Sequence, residues 1–144
     1  MCRVRHALWP PFGGVSVLVN KKFVSSSKIV CATDRYVIVN VGQCLFVNLY
    51  LPCVGTADRL SVIEEKFIEV SDWILKCNGY VIVVGGDFNC DLDKSNSASD
   101  LINTFVKDNC LFRCDQLQES INKQPTFYND LQGVQSTINF FLGK

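Results

Sequence analysis

Residues 81–93 read VIVVGGDFNCDLD: an apolar, β-branched run, two glycines, then an acid, an aromatic and an amide. The run over 80–84 lacks the alternation of a half-solvated strand, so it predicts a strand buried on both faces. Asp87 and Asn89 stand two residues apart, which on an extended backbone places them on one face. They fall at the C-terminal end of that strand, where open α/β sheets hold their ligands. A carboxylate beside a carboxamide suits one task well: holding a hard cation or an attacking water against a phosphate. The acid supplies charge or accepts a proton, and the amide donates to a phosphoryl oxygen without adding repulsion.

Two other readings of the stretch compete. Asp-Phe-Asn after Gly-Gly is also the composition of an Asx turn. Asp87, Asn89, Asp91 and Asp93 alternate as in a calcium loop, but that reading fails on details: Leu92 stands where the loop needs glycine and Ala98 where it needs a bidentate glutamate.

Working outward, the pattern is mixed α and β, with strands first and helices later. Strands are predicted over 14–19, 27–32, 36–41 and 44–51, the last two joined by Gly42-Gln43 as a hairpin, so that four strands form an antiparallel meander. Apolar residues Leu60, Ile63, Phe67, Val70 and Ile74 recur at helical spacing and predict a helix over 58–76, stopped by Asn78-Gly79. A second helix is expected from Ser99 to about Asp108 with Ser97 as its N-cap, followed by short strands over 111–115 and 136–142.

The chain has 144 residues, 48% of them hydrophobic and 19% charged, the balance of one globular domain spanning 1–144. Its formal net charge is zero, without the basic excess that commonly marks phosphate-binding proteins, although a local groove can be basic on a neutral protein. The eight cysteines contain no C-x-x-C pair and several lie inside apolar runs, so free thiols in a reducing compartment are expected rather than disulfides or a zinc site. The N-terminal residues imitate a signal peptide, but Pro10-Pro11 and Gly13-Gly14 break its apolar segment, and no apolar run approaches the roughly 20 residues of a membrane span. A soluble, intracellular protein is expected, in nucleus or cytoplasm, with no membrane partner and no nucleotide cofactor.

Four segments in order resemble the endonuclease/exonuclease/phosphatase superfamily, and within it the apurinic-endonuclease-like domain of non-LTR (LINE-type) retrotransposons. They are PFGGVSVLVNKK; LFVNLYLPC, similar to the family's N-x-Y-x-P strand; GGDFN, similar to its G-D-x-N motif; and PTFYN with STINFFL, similar to its threonine strand and its S-x-I-D-x-[IF]-L strand. The resemblance implies a four-layered α/β/β/α sandwich, here missing N-terminal and C-terminal strands, with an exposed edge and part of the face between the sheets uncovered. It implies a Mg²⁺-dependent phosphodiester hydrolase that nicks DNA. Tyr50 matches the tyrosine that points at the scissile phosphate, Asp87 the aspartate that positions or activates the attacking water, and Asn89 the asparagine that orients it. Thr126 and Ser136 match hydroxyls lining the substrate site. The family's magnesium-binding glutamate would lie upstream of Met1 and its Ser-Asp-His beyond Lys144, so the metal site is expected to be incomplete. Asn139 stands where the family has the aspartate that partners the histidine, and an amide does not stabilise an imidazolium as a carboxylate does. Cys53 also departs from the family, which commonly has asparagine there, and His6 lies outside the motif order. An inactive partial copy is therefore expected. A phosphatase of the same superfamily acting on lipid or inositol phosphates, and a non-catalytic interaction module, are the alternatives.

Overall fold

The computed structural model describes residues 14–116, 125–131 and 133–144. Strands β1 (Ser27–Ala32), β2 (Tyr36–Val41) and β3 (Cys44–Tyr50) form an antiparallel meander. Gly42, at φ 63°, supplies the positive dihedral that the two-residue turn between β2 and β3 requires. Beyond Pro52 the chain reverses direction through helix α1 (Arg59–Lys76) and returns as β4 (Val81–Asp87), parallel to β3. Helix α2 (Ser97–Asp108) follows, then β5 (Phe112–Arg113), a hairpin of β6 (Phe127–Asn129) and β7 (Val134–Ser136), and β8 (Asn139–Gly143). The main sheet has the order β1-β2-β3-β4-β8-β5, and β6-β7 forms a second, two-stranded sheet.

Strand alternation gives the main sheet two unlike faces. One carries Ile38, Leu45, Val47, Leu49, Ile82, Val84, Phe140 and Leu142, which join Ile63, Phe67, Val70 and Ile74 of α1 and Ile102 and Phe105 of α2 in a single buried core. Two stacked ring pairs pin this layer: Phe67 on Phe105 at 4.3 Å between centroids, and Phe88 on Phe140 at 3.9 Å. The other face carries Val37, Val39 and Val41 and is covered in part by Val15, Val17 and Val19 of the segment preceding residue 20. Both helices thus lie on one side, and a groove opens on the other.

The glycines of residues 85 and 86 have separate steric reasons. A Cβ on Gly85 would enter the ring of Phe141, while one on Gly86, whose φ is 138°, would collide with the carbonyl oxygen of Leu49. Gly86 therefore lets β4 approach β3 where Leu49 and Gly86 are register partners.

Several expected boundaries move. Residues 14–19 have no regular secondary structure and enter no ladder, so the meander has three strands rather than four; Asn48 holds the segment through its side-chain amide, which donates to the carbonyl of Ser16 at 2.9 Å. The strand expected over 80–84 continues through both glycines to Asp87, because β8 pairs with it as far as Asn139. Helix α2 starts earlier than expected: Asn96 is its N-cap, accepting from the amides of Ala98 and Ser99, and Ser99 closes a reciprocal capping box. The strand expected over 111–115 keeps two residues before a short 3-10 turn at Cys114–Gln116. The strand expected over 136–142 is divided at residues 137 and 138, since the Thr126 hydroxyl accepts from the amides of Ile138 and Asn139 and takes their donors out of a ladder. All seven described cysteines are free thiols, and among the described residues no helix is long and apolar enough to cross a membrane.

Two predictions test this account. Gly86→Ala should destabilise the protein by at least about 2 kcal/mol, the cost of strain plus a backbone collision, whereas Gly79→Ala, whose Cβ would meet open space, should cost less; urea unfolding of both variants compares them. The second concerns acid stability. Glu69 accepts from Lys66 at 2.7 Å, and that contact, opposed in part by burial, holds its carboxyl below the ordinary glutamate range. A carboxyl depressed by folding stabilises the fold above its ordinary pKa, and that contribution disappears as pH falls through the folded value. Glu69→Gln should therefore narrow the stability difference between pH 7 and pH 3 relative to wild type.

Candidate functional site

Register assembles the site. Tyr50 of β3 is paired with Asp87 of β4, and Asp87 with Asn139 of β8, so three polar residues from distant parts of the chain form one lateral row. They point to the groove face, at the C-terminal end of the parallel pair. The adjacent row toward the middle of the sheet is Asn48, Gly85 and Phe141. The groove has a volume of about 1170 Å³, and Tyr50, Asp87, Asn139 and Thr126 line one end of it. Its floor is apolar, with Val39, Phe46 and Val83 below the polar row. A desolvating floor beneath a few convergent polar groups is the usual composition of a small-ligand site.

Asp87 is half-buried, and burial pushes its carboxyl above the usual aspartate range, partly offset by the backbone amide of Asn89, which donates to Oδ1 at 3.0 Å. That amide contact is an Asx turn, so the turn reading and the site reading of residues 87–89 describe the same atoms. A raised carboxyl in a groove has more proton-accepting power than a solvated one.

Asn89 is placed differently from expectation. Its φ is 48°, so the backbone leaves the extended conformation and the two side chains do not continue along one strand face. The Asn89 side-chain amide donates to the carbonyl of Leu51 at 2.9 Å, and the Asn89 backbone carbonyl accepts from the Arg59 guanidinium at 2.8 Å. Arg59 also donates through Nε to the carbonyl of Pro52 at 2.9 Å. Asn89 and Arg59 together tie the segment after β4 to the segment after β3, which holds Asp87 at a fixed height beside Tyr50. Asparagine suits the left-handed conformation better than most residues.

The remaining expected residues divide. The Thr126 hydroxyl lies at the groove end but accepts from two backbone amides at the start of β8, and so positions Asn139. Ser136 is not brought to the row: its hydroxyl accepts from Lys94 at 3.2 Å, outside the groove lining, and Lys94 in turn pairs with Asp91 at 3.3 Å. His6 lies outside the described residues. Sequence reasoning missed Asn48 and Arg59. Asn48 was legible within N-x-Y-x-P, whereas Arg59 acts across a turn and has no local signature.

Among the described residues no three His, Cys, Asp or Glu side chains are grouped to hold a metal, and Asp87 is the carboxylate that lines the groove. One carboxylate with neutral amide and hydroxyl neighbours supplies part of a magnesium shell but no cage of its own.

No protein-family model matches the sequence, and no curated protein matches it. The structure is similar to a 3'-5' exonuclease, NExo, from Neisseria meningitidis, at a TM-score of 0.58 and 14% sequence identity over 77% of this chain and 52% of that one. It matches equally, with the same score, identity and coverage, a Neisseria NExo structure described as a 3' phosphatase bound to product DNA hairpin. The chain thus spans about half the length of these structures. At this identity the likeness establishes the fold alone: a mixed α/β architecture in which this chain has a six-stranded sheet with two helices on one face and a small two-stranded sheet.

Proposed function

We propose that this chain carries the phosphate-handling part of a DNA-directed phosphodiester hydrolase, derived from a Mg²⁺-dependent nicking endonuclease of a LINE-type retrotransposon. The observation that carries the reading is the Tyr50–Asp87–Asn139 row at the sheet end of an apolar groove. The Tyr50 hydroxyl and the Asn139 amide are donors for non-bridging phosphoryl oxygens, while the Asp87 carboxylate accepts hydrogen bonds only and is suited to orient a water or take its proton. Magnesium, when bound with substrate, would supply charge neutralisation at the phosphate, with Asp87 as a contributing ligand. In this copy an amide occupies position 139, so no second carboxylate flanks Asp87 in the row. The reading accordingly expects binding without turnover. That the similar Neisseria structure holds a DNA hairpin favours DNA over lipid or inositol phosphates as the ligand.

Fluorescence anisotropy with a labelled DNA hairpin, without magnesium, tests this. Wild type should bind, and Asp87→Asn should bind about fivefold more tightly, because a carboxylate facing a phosphate across a few ångströms of partly solvated space costs on the order of 1 kcal/mol. Equal displacement of the hairpin by an inositol phosphate, or no hairpin binding at all, overturns the assignment. With magnesium added, plasmid nicking by wild type should not exceed that by Asp87→Ala.

The same residue gives a stability prediction with a definite sign. Ionising Asp87 costs the fold, because its carboxyl is raised by burial, and the cost appears as pH rises through the raised value. Asp87→Asn keeps an acceptor for the Asn89 amide and removes the charge, so it should raise Tm at pH 7 and leave it near wild type at pH 3.

A further inference from the structure

The turn between β1 and β2 brings a cation to the polar row. Arg35 lies at the same sheet end as Tyr50: its carbonyl accepts from the Tyr50 amide at 2.8 Å, and its guanidinium carbon stands 5.2 Å from the centroid of the Tyr50 ring. Its ion pair in the structure is with the neighbouring Asp34, at 3.8 Å, and the Asp34 side chain is 76% exposed. Such a pair is weak and exchangeable. The guanidinium stands within cation–π reach of the Tyr50 ring, and an arginine so placed can share its fork of donors with a phosphate, the group it recognises bidentately. The chain as a whole is neutral, so a phosphate at Tyr50 would meet no general basic field and would depend on a local cation.

We propose that Arg35, beside the Tyr50 end of this groove, is a phosphate-binding residue, gripping the non-bridging oxygens of a DNA phosphodiester next to the Tyr50 hydroxyl. The inference rests on the DNA-binding reading above and adds to it a cation at Tyr50, the register neighbour of Asp87. It also assigns Tyr50 two contacts, its ring as a platform for the guanidinium and its hydroxyl as a donor to the same phosphate.

The test is the hairpin anisotropy assay repeated across a series of salt concentrations with wild type, Arg35→Gln and Arg35→Lys, each checked for an unchanged far-UV spectrum and melting curve. A cation that neutralises one phosphate contributes about one unit to the slope of log affinity against log salt. Arg35→Gln should lower that slope by about one and weaken binding at least fivefold at low salt. Arg35→Lys should keep the slope, since the charge remains, while losing part of the affinity with the planar fork. If Arg35→Gln binds with the wild-type slope and affinity, Arg35 serves only to pack the turn and the proposal fails while the DNA-binding reading stands. If wild type does not bind the hairpin, both fail together. If Arg35→Gln melts earlier than wild type, Arg35→Lys decides: a slope that falls with charge retained overturns the proposal.

Discussion

The closeness of β4 to β3 at Gly86 is the constraint on which the site depends. A parallel pair normally carries side chains on both strands, but here the backbone of Leu49 occupies the volume a Cβ at position 86 would take. One residue further along, the same register sets Tyr50 beside Asp87. Because side chains alternate with a period of two, a slip of one residue would turn Asp87 into the helix-packed core and bring Phe88 to the groove. Burying an unpaired carboxylate there would be costly, and exposing Phe88 would forfeit its stack on Phe140. The register is thus enforced from both faces of the sheet.

Past Asp87 the work passes to hydrogen bonds. Asn89 abandons the strand conformation and spends its side-chain amide on Leu51, its backbone amide on Asp87 and its carbonyl on Arg59. A motif that reads as two functional side chains is, in space, one groove-facing acid and one brace. Thr126 stands in a similar relation to Asn139, since its hydroxyl satisfies the amides that open β8. The groove therefore holds its polar row on rigid strands and supports it from the adjoining loops, which limits the reorganisation needed to receive a charged ligand.

The face opposite the helices has a different character. Leu18 is 98% exposed and Phe141 61% exposed, although both lie on the apolar side of the sheet. The segment before residue 20 covers Val37 and Val39 but enters no strand ladder. The polar row stands at the end of this apolar surface, so a ligand bound there would be desolvated from below while remaining open to solvent above.

Local patterns determined much on their own. The spacing of Ile63, Phe67, Val70 and Ile74 was enough for α1, since a 3.6-residue period has one buried face whatever it packs against. β1 and β2 came out at their expected bounds, and β3 one residue short of its expected end, because β-branched runs punctuated by Gly42-Gln43 and Pro52 allow few alternatives. The donors and acceptors at residues 87–89 were legible too, as residue types fix them directly. Tertiary structure alone decided which groups meet. The alignment of Asn139 with Asp87 comes from β8 inserting beside β4 after a separation of some fifty residues, and no local period encodes a pairing at that distance. The guanidinium over Tyr50, the bracing role of Asn89 and the dividing of 136–142 arise in the same way. Each is settled by what a distant strand or loop brings to it, because side-chain hydrogen bonds and ring contacts depend on positions in space that residues far apart in the chain must supply.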